Sequence, residues 1–101
     1  MNVYTLLDNV TGNIVGDPVK VKRTLDVPIP VQVTGLTGGT TAHLEGVILE
    51  EGEDPLTATW SKISGGKWSS DICEGLYTNF SYIRAVVTNY GGGTVNLRVL
   101  M

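Results

Sequence analysis

His43 is the single histidine of the chain, so any Ser/His/Asp arrangement would have to be built around that one imidazole. Ser61, Ser64, Ser69, Ser70 and Ser81 offer hydroxyls, yet none stands in the strand-to-helix elbow that exposes a nucleophile. A strand-surface imidazole is the favoured reading, and a histidine metal cluster is excluded. Glu50, Glu51, Glu53 and Asp54 place four carboxylates in five residues, with Glu45 just upstream. Calcium takes such oxygens, but the segment lacks the Asp/Asn alternation of a calcium loop and Pro55 stiffens its exit, so a solvated acidic loop is favoured over a calcium site. Trp60 and Trp68, with Tyr4, Tyr77, Tyr82 and Tyr90, have the flat faces that stack on sugar rings. Aromatic area of this kind more often fills a core or anchors a subunit contact. Nothing sets two acids across a cleft as a glycosidase needs. Gly91-Gly92-Gly93 lacks the Lys-Ser/Thr and helix of a phosphate loop. No catalytic residue, cofactor or metal site is expected.

The elements that would carry these groups are strands. Apolar and polar residues alternate in short segments bounded by Gly, Pro, Asn or Asp, and no window holds a helical period. The segments are Val3 to Leu7, Ile14-Val15, Val19 to Val21, Val27 to Thr34, Thr41 to Leu49, Thr57 to Ile63, Lys67 to Ile72, Tyr82 to Asn89 and Thr94 to Leu100. Thr37-Gly38-Gly39-Thr40, Ser64-Gly65-Gly66 and Tyr90 to Gly93 read as turns, the last closing a terminal hairpin. Pro28 and Pro30 lack the N–H a ladder needs, which places the start of their strand at an edge and leaves only Val31 onward free to pair on both sides. The expected fold is all-β: a single antiparallel sandwich, jelly-roll-like, of about seven to eight short strands.

The 101 residues suffice for one domain, 1–101. Apolar residues make up 42% and charged residues 17%, a low share that leaves neutral surface for subunit contacts. A net charge of -3 argues against nonspecific nucleic-acid binding. The basic cluster is Lys20, Lys22 and Arg23, whose spacing suits a charged sheet edge. One cysteine, Cys73, allows no internal disulfide, and its neighbours Ile72 and Leu76 suggest a buried thiol. No apolar run is long enough to span a membrane, and Met1-Asn2-Val3-Tyr4-Thr5 does not read as a secretion signal.

In the order of its segments the chain resembles the small accessory β-sandwich proteins of tailed-phage virions, of the capsid cement or decoration type. The resemblance covers most of the chain. It runs from Val27 to Thr34 through Gly38-Gly39-Thr40-Thr41-Ala42-His43-Leu44-Glu45-Gly46, the acidic loop and Trp60. It continues in Tyr82-Ile83-Arg84-Ala85-Val86-Val87, the glycine turn and Thr94-Val95-Asn96-Leu97-Arg98-Val99. A Gly-Gly-Thr turn before a strand and a closing Tyr-Ile-Arg-Ala hairpin recur in such proteins, although the acidic loop is longer than that class leads one to expect. The resemblance implies a non-enzymatic virion protein, assembled in the host cytoplasm, without cofactor. It implies a homo-oligomer, trimers favoured, that bridges major capsid subunits or other virion proteins. Residues 1–26 would supply an N-terminal arm and the first strands used in assembly. The contact candidates are Tyr4, Lys20, Lys22, Arg23, Pro28 and Pro30. Two alternatives stand beside this reading: a neck or tail component, and a carbohydrate-binding module for host attachment through Trp68 and Tyr77.

Overall fold

The computed structural model describes residues 2–21, 28–76 and 80–101. Lys22, Arg23 and Tyr77 lie outside the described residues. The strands are β1 (Val3–Val10), β2 (Ile14–Val15), β3 (Val19–Lys20), β4 (Ile29–Thr34), β5 (Thr41–Val47), β6 (Ser61–Trp68), β7 (Ile72–Leu76), β8 (Tyr82–Thr88) and β9 (Val95–Leu100). They form two antiparallel sheets packed together, a β-sandwich, with no helix among the described residues. The first sheet runs β1-β9-β4-β7, and the second β2-β8-β5-β6 with β3 also on β8. When β2 and β3 are taken as one interrupted edge, these orders are those of a jelly roll.

Alternation builds the core. Ile29, Val31 and Val33 of β4 and Val95, Leu97 and Val99 of β9 face Ala42 and Leu44 of β5 and Ile83, Ala85 and Val87 of β8, all in one buried cluster. Each of these Val, Leu and Ile side chains contributes about 1.5–3 kcal/mol by leaving water. Pairing between β4 and β9 begins at Val31↔Val99, while Ile29 and Pro30 pair with β7 alone. The prolines thus limit one side of the strand start, as their missing N–H requires, although β4 as a whole lies inside its sheet.

Four expectations are corrected. The terminal hairpin does not exist: β8 and β9 both form, but β8 pairs with β5 and β9 with β1 and β4, so the glycine segment between them crosses from one sheet to the other. In a jelly roll most consecutive strands lie in opposite sheets, and glycines serve such a crossing as well as a hairpin.

Ser64-Gly65-Gly66 is not a turn either. It lies within β6, where His43↔Lys67 and Glu45↔Lys62 enclose one residue of β5 against four of β6, a bulge in which Gly65 takes φ 78°. The reversal comes at Ser69 to Asp71 instead. The strand expected to reach Leu49 stops at Val47, and Ile48 is 74% exposed. Phe80 lies over Gly46, where a Cβ on that residue would meet the ring at 2.5 Å. Finally, Cys73 is exposed, because its register opposite Gln32 puts it on the outer face of β7.

Candidate contact surfaces

Cross-strand partners share a face, so the register defines the outer surface of the first sheet. Thr5, Arg98, Gln32 and Cys73 form one row through Thr5↔Arg98, Gln32↔Arg98 and Gln32↔Cys73. Val3↔Leu100 and Pro30↔Gly75 belong to the next. Between them lies a shallow, mainly apolar groove of about 190 Å³ lined by Val3, Pro30, Cys73, Leu100 and Arg98. Val3 is 61% exposed there. Farther along the face Asp8, Asn9, Thr34 and Asn96 surround a polar depression, with Asn9 N–H donating to Asn96 Oδ1 at 2.9 Å. Arg98 stands between the halves and forms no ion pair among the described residues.

The outer face of the second sheet carries a charged relay. Glu45 Oε2 lies 3.1 Å from His43 Nε2, and Arg84, directly opposite on β8, reaches Glu45 Oε1 with Nε at 2.8 Å and Nη2 at 2.7 Å. The guanidinium lies over Trp60, 4.5 Å from the ring centre, in a cation–π contact. Trp60 Nε1 donates to Pro55 O at 3.0 Å, which ties the loop to this face. Burial alone would raise the Glu45 pKa, but hydrogen bonds from His43 and Arg84 outweigh it and hold the carboxyl below its ordinary range. His43 stands on this outer strand face but is only 5% exposed, with its Nε2 held by Glu45. Trp60, expected in a core or subunit contact, lies outside the core on this outer face.

At one end of the sandwich the acidic loop closes on itself. Glu53 Oε1 accepts from Glu50 N–H at 2.7 Å, and Asp54 Oδ1 from Leu56 N–H at 2.9 Å. Ser81 joins it to β8, accepting from Leu49 N–H at 3.0 Å. Among the described residues no three His, Cys, Asp or Glu side chains are grouped to hold a metal ion.

The contact candidates do not gather in one place. Pro30 lines the apolar groove. Pro28 is half-buried, its ring close to Gly75. Tyr4 is half-buried against the core, and Lys20 lines a cleft with Glu50, Glu51 and Glu53 of its own chain. Trp68 is 6% exposed, and its Nε1 donates to Glu74 Oε1 at 2.7 Å. A ring so enclosed offers no face to a sugar, which removes Trp68 from the carbohydrate reading. Sequence reasoning missed Val3, Leu100, Cys73 and Arg98 as a group, because their proximity depends on β1 and β4 both pairing with β9. Comparison with protein-family models, curated proteins and solved structures finds no match to this chain.

Proposed function

We propose that the protein is a non-enzymatic structural component of a tailed-phage virion, a cement or decoration protein that binds as a homo-oligomer across major capsid subunits and stabilises the head. The observation that carries this reading is the apolar groove on the first sheet. Val3, from the expected N-terminal arm, and Pro30, one of the expected contact residues, meet there beside the exposed Arg98. An apolar strip with one guanidinium free of ion pairs among the described residues suits a capsid surface that offers aliphatic side chains and a carboxylate. The charge would set register and the apolar area would hold. The jelly-roll order is compatible, since that architecture serves in capsid proteins, although a fold alone does not fix a function.

Quantitative mass spectrometry of purified particles tests the assignment. Cement occurs in tens to hundreds of copies on an icosahedral shell, and about a dozen copies would indicate a neck or tail component instead. Replacing Val3 and Arg98 together by Glu changes only exposed positions. Head occupancy should then fall while the isolated protein keeps its fold, and unchanged occupancy would show that the groove is not the contact.

A further inference from the structure

Among the described residues the sandwich has four sheet edges, and three carry features that prevent another strand from adding. Edge β1 has two register shifts against β9, between Thr5 and Leu7 and between Leu7 and Val10. The β2/β3 edge is broken by Gly16-Asp17-Pro18. Strand β6 has its four-against-one bulge and carries Lys62 and Lys67. Bulges, prolines and lysines are the usual means of blunting an edge.

Strand β7 has none of these. Its residues keep unbroken register with β4 from Val33↔Ile72 to Ile29↔Leu76, five successive pairs. It contains no Pro, Lys or Arg, and among the described residues its far side makes no backbone hydrogen bond. Its acids are turned back into the chain: Glu74 Oε1 accepts from Trp68 Nε1 at 2.7 Å, and neighbouring Asp71 Oδ1 from Leu36 N–H at 2.9 Å. The outward positions, Cys73 and Gly75, are small and exposed. Cys73 also lines the apolar groove, so the open edge and the groove form one surface.

We propose that β7 is a self-pairing edge, joining two copies of this chain antiparallel about a two-fold axis so that two four-stranded sheets become one of eight strands. The occupant follows from the count of edges. Each chain has one open edge among the described residues, and the same edge on a second copy closes it with nothing left over. A three-fold ring would need two different open edges. An axis normal to the sheet keeps outer face beside outer face, so it passes midway between a residue and the same residue of the second copy. At Glu74 it would set two carboxylates opposite each other, and at Ile72 or Leu76 only that end residue would find a partner within the strand, which places it at Cys73 or Gly75. The dimer sets two grooves side by side, a bivalent surface that would bind a repeating shell more tightly than one groove. That last step rests on the virion reading, but the pairing itself does not.

Sedimentation velocity of the full chain, from micromolar to several hundred micromolar, should show the 10.8 kDa chain doubling in mass. Cys73→Ser should keep the dimer, whereas Cys73→Lys, which supplies the missing edge charge, should weaken association by about tenfold or more. Amide exchange gives a second readout: protection at residues 72–76 should rise with protein concentration in the wild type and not in Cys73→Lys. Three results would overturn the proposal: a wild type that stays monomeric, a wild type that forms trimers, or a Cys73→Lys variant that dimerises as well as the wild type. These measurements use the isolated protein, so they separate failure of the dimer from failure of the virion assignment, which is read on particles.

Discussion

The two ends of the sandwich are built by opposite means. At one end, loops distant in sequence interlock. Thr40, fully buried, donates to Thr37 O at 2.6 Å and accepts from Gly91 N–H at 2.8 Å, while Thr37 Oγ1 donates to Gly92 O at 3.0 Å. Tyr90 N–H reaches Asn13 Oδ1, and Leu36 N–H reaches Asp71 Oδ1. Gly38 and Gly91 cross so closely that a Cβ on Gly91 would lie 1.9 Å from Gly38 O. At the other end, Glu53 and Asp54 bond within their own loop, which Trp60 and Ser81 tie to the second sheet, and Ile48 and Leu56 are each 74% exposed. Bonds between loops fix the spacing of the two sheets, whereas bonds inside a loop fix only that loop's shape. Sequence change should therefore be tolerated at the acidic end and resisted at the glycine end.

The most severe test is Gly91→Ala. The methyl group would overlap a backbone carbonyl that belongs to another fixed loop, so the expected loss is about 3 kcal/mol or more, or failure to fold, seen in the chemical denaturation midpoint. A loss below about 1 kcal/mol would mean that the glycine end is not the rigid one.

An intermediate effect is expected for Glu45→Gln, which cuts the charged relay linking the acidic end to the sheet through Arg84 and Trp60. The loss should be about 1–2 kcal/mol near neutral pH, the low side of the range for hydrogen bonds to a charged group because Glu45 and Arg84 stay partly solvated. Because the folded pKa of Glu45 lies below the unfolded value of about 4.3, the folded chain holds fewer protons across that interval. Its contribution is present above the unfolded pKa and is lost as pH falls through the folded one. Denaturation curves at a series of pH values should show the wild type losing this increment below about pH 4.3, and Glu45→Gln lacking it. An identical acid limb in both proteins would show that the relay does not anchor this end.

The smallest effect is predicted for Glu53→Ala. Its carboxylate caps an exposed amide that water can serve, so the change should stay within about 0.5 kcal/mol. A larger loss, again by denaturation, would show the acidic loop to be part of the fold's support.

How far the sequence could be read follows from what each signal measures. Period-two alternation is local, and it located β4, β8 and β9 within a residue or two. Pairing is not local. Gly91 to Gly93 has the same composition whether the chain turns back along its own sheet or crosses to the other, and only the pairing of β8 with β5 and of β9 with β1 and β4 shows which. The Ser64-Gly65-Gly66 bulge misled for the same reason, since its glycines reverse nothing. The outer-face groups were least legible. His43 and Glu45 are visibly two apart, but Arg84 joins them only because β8 pairs with β5 at Glu45↔Arg84. The surplus of glycine in both Thr37 to Thr40 and Tyr90 to Gly93, more than two hairpins need, was the one local hint that those loops meet.

The position of β9 has a consequence for how the protein is made. It follows every other described strand in sequence, yet it lies inside the first sheet, with β1 on one side and β4 on the other. During synthesis β1 and β4 leave the ribosome without the neighbour that joins them, and Leu7, Val31 and Val33 stay uncovered until Val95, Leu97 and Val99 arrive. The second sheet can assemble as soon as β8 emerges. The first must wait for β9, and a nascent chain stalled just before Val95 would be half a sandwich with its apolar side open to other chains.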